Sequence, residues 1–366
     1  MRILHVVRQY QPSVGGLEAY VKSMATHQQA LGHQVEVLTL NRLFGQTHDQ
    51  QPRLPAHEMI DGIPVTRISF VGFQRFFIPF ISLRFVKGFD ILHVHNTDGF
   101  FDALALLKPL HRRPMVATTH GGFFHTKVMG RFKQIYFNTV TRLSAKAYGT
   151  LFAISENDLD IFRTITSNLV LQPNAVEPLG DFTATGPDFI YIGRLAEHKM
   201  VENLIRTFAV FVNEHKGKGN LHIVGPEWDV ARADLTNLAN TLGLSKRVKI
   251  HGFTKPAALT KILQSCGYFV SASLFEGFGM SMIEGMSVGL IPLVQPNASF
   301  QVLVKQSKVG ACIDYTNPTD AAAAMAECIA TVKPAHSTTA RTFAATFAWP
   351  KLAAACVAIY KKEISA

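Results

Sequence analysis

At 366 residues the chain exceeds what one hydrophobic core usually serves, and an apolar fraction of 48% supplies core for two domains and excludes a disordered chain. Lys and Arg outnumber Asp and Glu by 36 to 26, a net charge of +10, and no acidic residue lies between Asp102 and Glu156, where Lys108, Arg112, Arg113, Lys127, Arg131, Lys133, Arg142 and Lys146 fall, so this half calls for an anionic partner: nucleic acid, acidic lipid or a phosphorylated substrate. Cys266, Cys312, Cys328 and Cys356 form no CxxC pair or close Cys/His cluster, a pattern that fits reduced, buried thiols in a cytosolic protein better than a disulfide frame or a zinc site.

The chain opens on a strand, Arg2 to Arg8, too short for a secretory core. The most apolar stretch, Phe70 to Val86, is broken by Arg75, Pro79 and Arg84, so no bilayer span is expected and a cytoplasmic protein is. Gly15 and Gly16 follow the first strand and precede a helix with apolar spacing from Leu17 to Leu31. Adjacent glycines let the backbone approach a ligand, and the free N–H groups of a helix start suit phosphate. Taken alone the pair reads rather more readily as an ordinary turn with a glycine hinge, and it is not the GxGxxG of dinucleotide enzymes. Strands are expected at Gln34 to Leu40, Ile91 to His95 and Met115 to Thr119. His120-Gly121-Gly122 stands at the carboxyl end of the last, the edge where open parallel sheets bind ligands. A lone His there is structural as readily as functional. The helix Glu156 to Thr164 carries Asp158-Leu159-Asp160, which reads as a solvated face and not as a metal site.

The rhythm then restarts, with strands at Asp188 to Gly193, Leu221 to Val224, Val248 to His251, Tyr268 to Ser271 and Ile291 to Val294, and a helix at Val201 to His215. Two successive α/β patterns imply two doubly wound domains. The boundary falls in the Pro- and Gly-rich segment Gln172 to Gly186, giving domains 1–173 and 174–348, and Trp349-Pro350 opens a terminal helix over 349–366. After the strand ending at Gly193, Arg194 and Lys199 offer a fork of donors and a mobile ammonium, a pair suited to a diphosphate, although surface charge explains most such residues. Glu276 to Glu284, EGFGMSMIE, places one carboxylate before a glycine-rich turn and another inside the helix that begins near Met280. The turn offers amides for anionic oxygens, and the carboxylates can hold sugar hydroxyls.

Gly15-Gly16, His120-Gly121, GRLAEHK at Gly193 to Lys199 and the Glu-x7-Glu of Glu276 and Glu284 together resemble glycosyltransferase family 4, with order and spacing matched across nearly the whole chain. The resemblance implies a GT-B fold, two Rossmann-like domains facing a cleft with the C-terminal helix returning to the first. It also implies retaining transfer from a nucleotide sugar. Arg194 and Lys199 would hold the donor diphosphate, with Gly15 and Gly16 against it. Glu284 would bond the ribose. Glu276 with the backbone of Gly277, Phe278, Gly279, Met280 and Ser281 would grip the donor sugar. His120 would contact that sugar near the reacting carbon, and Gly252-Phe253 would frame the nucleobase. With two cations at the diphosphate, neither a metal nor a further cofactor is expected.

VRQYQPSVGGLE and TTHGGFFHTK are similar to bacterial exopolysaccharide mannosyltransferases of the xanthan and acetan type. That likeness implies GDP-mannose as donor and a polyprenyl-diphosphate-linked glucose disaccharide as acceptor; a UDP-linked donor with another glycolipid acceptor is the alternative, and a nucleotide-sugar epimerase of the same fold is a further one. In the expected acceptor domain, Phe73, Phe76, Phe77, Phe80 and Phe85 interleave with Arg75, Arg84 and Lys87, and Phe124, Phe132, Tyr136 and Phe137 with Lys127, Arg131 and Lys133. Such mixtures suit an anionic inner-membrane surface. No nucleic-acid recognition motif accompanies the charge, so nucleic acid is not an expected partner.

Overall fold

The computed structural model describes residues 1–13, 15–44, 53–73, 76–120 and 130–366. Gly121, Gly122, Phe124, Lys127 and Arg75 lie outside the described residues, as do the side chains of Phe73, Arg131 and Phe132. The chain forms two compact units, Met1–Asn174 with Trp349–Ala366, and Ala175–Ala348.

The first unit is built on β1 (Arg2–Val6), β2 (Gln34–Leu40), β3 (His57–Ile60) and β4 (Ile63–Ile68), then a separate antiparallel hairpin of β5 (Phe70–Phe73) and β6 (Phe76–Pro79), then β7 (Ile91–His95), β8 (Met115–Thr118), β9 (Thr150–Ala153) and β10 (Leu169–Leu171). The main sheet runs β10-β9-β8-β7-β1-β2-β4-β3, parallel except where β3 lies antiparallel to β4. Every residue of β7 and all but the first of β1 are buried, which is why these strands read as apolar runs interrupted only by histidines. Their register sets His5 beside His93, and that of β7 with β8 sets His95 beside Thr118. One face packs Leu4, Val6, Leu92 and Val94 against Phe100, Phe101 and Leu104 of the helix Gly99–His111, whose first turn is capped by Asp98 accepting from the Phe100 N–H at 3.1 Å. The terminal helix Trp349–Ser365 packs on the helix Gly16–Ala30 within this unit, with Trp349 edge-on to Tyr20 at 5.1 Å.

The second unit carries β11 (Asp188–Ile192), β12 (Leu221–Val224), β13 (Val248–Gly252), β14 (Cys266–Ser271), β15 (Ile291–Val294) and β16 (Ala311–Cys312), all parallel in the order β13-β12-β11-β14-β15-β16. Phe189, Tyr191, Leu221 and Ile223 bury against Leu204, Ile205 and Phe208 of the helix Val201–Asn213. Strand order reverses direction at β11: the chain steps outward to β12 and β13, then back across to β14. That switch point opens a crevice at the carboxyl edge of the sheet.

Two readings need correction. Asp158 does not face solvent: it is 2% exposed, accepts from Thr119 Oγ1, and its N–H takes the Ser155 cap at 3.2 Å. Asp160, two residues on, is exposed and pairs with Arg163, so the two carboxylates do not form a common ligand set. Of the four thiols, only Cys266 and Cys356 are buried, while Cys312 is exposed.

Candidate functional site

In the second unit the loops that leave the carboxyl ends of β13, β12, β11 and β14 stand side by side. Gly225, after β12, donates its N–H to the Gly252 carbonyl at the end of β13 at 2.9 Å. It also lies so close to the first turn after β11 that a Cβ on it would meet the Gly193 carbonyl oxygen at 1.8 Å, and its φ is +148°. Only glycine fits there. Past it, the Leu195 N–H donates to the Pro226 carbonyl at 2.9 Å and the Trp228 N–H to the Leu195 carbonyl at 3.1 Å.

Arg194 leaves this junction with its guanidinium over the Trp228 ring, 4.6 Å from the centroid. Its own carbonyl accepts from the Tyr191 hydroxyl at 2.8 Å, which ties the turn to the core. Five residues on, a single 3-10 turn, Glu197–Lys199, places Lys199 at the mouth of the loop, and the His198 carbonyl accepts from the Leu274 N–H at 2.9 Å. That bond fastens the β11 loop to the β14 loop. Across it, Lys199 Nζ meets Glu276 Oε1 at 2.6 Å, with the two side chains only 13% and 16% exposed. Charge on Arg194, Lys199 and Glu276 all reaches His198, whose pKa is lowered first by burial and next by Lys199. The three groups therefore share one electrostatic environment at the switch point.

Glu276 opens the glycine-rich turn. Gly279 has φ +93° and caps the helix Met280–Ser287 with no side-chain partner. Its carbonyl takes the N–H groups of Met282 and Ile283, so these two are committed within the helix. Gly277 faces open space; Phe278 leans its ring on Phe347 at 5.7 Å, leaving its backbone as its contribution to the turn. Met280 and Ser281 begin the helix. Glu284 lies one turn further along. Burial, and next the charge of Glu177, push its carboxyl up to about 7, so near neutral pH it both donates and accepts. Among the described residues it pairs with neither Arg194 nor Lys199. Gly252 ends β13 at φ +68°, and Phe253 beyond it is 78% exposed.

The remaining candidates belong to the first unit. Gly15 caps the helix Gly16–Ala30 after β1, without a side-chain cap, and a Cβ on Gly16 would meet nothing within 4 Å. The end of β8 passes to His120, at φ +52°, whose ring is edge-on to Tyr20 at 4.6 Å and bonds His95. Burial drives its pKa down to about 3, so the ring is neutral at physiological pH. Sequence reasoning missed Trp228: the available signal was a bulky ring set three residues after a glycine at a strand's carboxyl end. It also missed Gln28 and Tyr360, which reach the His120 ring through other histidines.

Residues 14–178 match the model of Glycosyltransferase Family 4, and residues 181–342 that of Glycosyl transferases group 1. The chain is similar to the GDP-mannose:cellobiosyl-diphosphopolyprenol alpha-mannosyltransferase of Komagataeibacter xylinus, 36% identical over 87% of this chain and 81% of that one. It is similar also to the protein of that name from Xanthomonas campestris, 38% identical over 86% and 83%. Among solved structures, a glycosyltransferase from Rickettsia africae superposes with a TM-score of 0.73 at 17% identity, over 99% of this chain and 98% of that one. Sucrose-phosphate synthase from Thermosynechococcus elongatus does so at 0.71 and 17%, over 100% and 99%. These two establish the shared GT-B fold.

Proposed function

We propose, from the premise that the chain belongs to glycosyltransferase family 4, that it transfers mannose from GDP-mannose, with retention, to a polyprenyl-diphosphate-linked oligosaccharide of exopolysaccharide synthesis. The observation that carries the site is the 2.6 Å pairing of Lys199 with Glu276 beside Arg194, at the point where the second sheet reverses its order. Breaking the sugar–phosphate bond builds negative charge on the departing diphosphate and positive charge on the sugar. Fixed donors aimed at the first lower the barrier, each on the order of 3 kcal/mol. In this reading Lys199 and Arg194 hold the diphosphate and no divalent ion is needed. Donor binding then frees Glu276 from Lys199 toward sugar hydroxyls, while the helix-opening amides of Met280 and Ser281 add to the diphosphate field. Glu284 holds the ribose, Phe253 flanks the base, and His120 lies against the donor sugar. The departing phosphate accepts the acceptor's proton on the same face of the sugar.

The acceptor reading draws on the names of the 36–38% identical relatives and on the charge of the first unit. There Leu106, Leu110, Ile135 and Leu143 are exposed among Lys108, Arg112, Arg142 and Lys146. A diphosphate on a lipid carries both anionic charge and grease, so an anionic membrane face is the partner we infer for this surface. Incubation with GDP-mannose, UDP-glucose and UDP-galactose, each with polyprenyl-diphosphate-linked cellobiose, followed by product mass and linkage analysis, tests the proposal. An α-mannosylated lipid from GDP-mannose alone is the expected product. An epimerised nucleotide sugar, or transfer only from a UDP donor, contradicts it.

A further inference from the structure

Under the carboxyl edge of the first sheet runs a branched chain of buried hydrogen bonds that begins at Gln28, on the inner face of the helix Gly16–Ala30. Gln28 Oε1 faces His5 Nε2 at 2.8 Å, and its Nε2 donates to the Tyr360 hydroxyl at 3.2 Å. His5 Nδ1 meets His95 Nε2 at 2.8 Å, and His95 Nδ1 meets His120 Nε2 at 3.1 Å. On the other branch the Tyr360 hydroxyl bonds His93 Nδ1, and His93 Nε2 meets Thr118 Oγ1 at 2.7 Å. Gln28, His5, His93, His95 and Tyr360 are all 0% exposed.

The ring nitrogens of His5, His93 and His95 lie within 4.8 Å of one another, near enough to suggest a metal centre. All six already have a hydrogen-bond partner inside the protein, and among the described residues no carboxylate bonds them to offset an ion's charge. The cluster is a hydrogen-bond network whose directions can be worked out. A neutral imidazole donates through one nitrogen and accepts through the other. With the Gln28 amide oriented as in the structure, its carbonyl accepts from His5 Nε2. His5 Nδ1 then accepts, so His95 donates from Nε2 and accepts at Nδ1. His120 must therefore donate from Nε2, and its Nδ1 carries the lone pair. The second branch agrees: Gln28 donates to the Tyr360 oxygen, whose hydroxyl donates to His93 Nδ1.

We propose that Gln28, held by Tyr360 of the terminal helix, is a positioning residue that fixes the tautomer of His120 through His5 and His95, so that His120 offers an accepting Nδ1 to a sugar hydroxyl. The proposal rests on the reading that His120 lies against the donor sugar. Reversing the amide would reverse every donor along the chain and turn that acceptor into a donor, so the tie to Tyr360 matters as much as the bond to His5.

Long-range proton–nitrogen correlation spectra of protein labelled at histidine nitrogen test it without substrate. Wild type is expected to show His5, His95 and His120 protonated at Nε2. A His120 ring protonated at Nδ1 in that spectrum overturns the proposal, and this reading needs no variant. Gln28→Met and Tyr360→Phe are each expected to scramble the His120 tautomer and to lower kcat by about 10-fold, the loss of one oriented hydrogen bond, with donor KM little changed. A Gln28→Met enzyme with a scrambled ring and normal kcat overturns the positioning role. His120→Ala separates the two readings. Normal turnover there overturns the contact of His120 with the sugar itself, whereas lost turnover there with normal turnover in Gln28→Met overturns only the control from Gln28.

Discussion

Glu284 shows what a single buried carboxyl costs and how that cost can be read. In the fold it keeps its proton up to about 7, against 4.5 when unfolded, because burial and Glu177 both oppose its charge. Between those values the folded state binds more protons than the unfolded one, so stability falls as pH rises through the window. The slope amounts to a loss on the order of 3 kcal/mol by pH 8. Glu284→Gln cannot ionise, so its urea midpoints at pH 5 and pH 8 are expected to lie closer together than those of wild type. An unchanged gap between the two midpoints would contradict this account of the carboxyl. Lys199 and Glu276 behave differently. Each neutralises the other at 2.6 Å, and removing one leaves the other mostly buried and uncompensated.

At the scale of elements, the helix Gly99–His111 and the segment from Ile135 to Lys146 divide their faces in a manner that packing alone does not explain. The helix buries Phe100, Phe101 and Leu104, yet Leu106 and Leu110, four residues apart and so on one face, are 81% and 55% exposed. Ile135 and Leu143 are 64% and 69% exposed, in a segment whose turn Arg142–Ala145 packs against this helix. Residues that should be core are turned to solvent beside cations. The hairpin β5–β6 and the residue that follows it split likewise: Phe77 is buried among Phe44, Phe70 and Phe100, whereas Phe80 is 59% exposed. Of the rings that alternate with cations in the sequence, Phe77 and Phe137 are thus core and cannot meet a membrane. The protein is expected to sediment with vesicles containing anionic lipid and to be released by salt, since each cation near such a surface contributes about 1 kcal/mol. Leu106→Gln with Leu110→Gln should weaken retention without altering the melting temperature. Equal retention on neutral vesicles would contradict the electrostatic part.

The same scale shows what sequence patterns carry. Strands buried on both faces, such as Ile91–His95, Leu221–Val224 and Ile291–Val294, declare themselves as short, mostly apolar runs, Gln34–Leu40 does so by interspersing Val35, Val37 and Leu38 with polar residues, and the structure has strands at those same residues. β3, β10 and β16 do not, because edge strands of two to four residues are polar or too short for a period. Asp158 failed for a related reason: a carboxylate inside a polar helix reads as solvated, and only the fold reveals the Thr119 hydroxyl and the capping Ser155 around it. At the candidate site, Arg194, Lys199 and Glu276 were legible because a motif strings them along two loops. Trp228, Gln28 and Tyr360 were not, since each acts through space on a residue far from it in sequence.

For the whole molecule, the chemistry divides between two units that share an architecture. The first has a mixed eight-stranded sheet, the terminal helix and the histidine network; the second has a fully parallel sheet with cations and acids gathered at its switch point. No helix among the described residues is long and apolar enough to cross a membrane. The donor site carries the account. Calorimetric titration of GDP-mannose into wild type, Lys199→Ala and Arg194→Ala tests it most directly, because binding is read without acceptor, membrane or turnover. Wild type is expected to bind, and each variant to bind at least about 10-fold more weakly for want of one charge-assisted contact to the diphosphate. Undiminished affinity in both variants would mean that the nucleotide sugar does not sit on these cations, and would contradict the account.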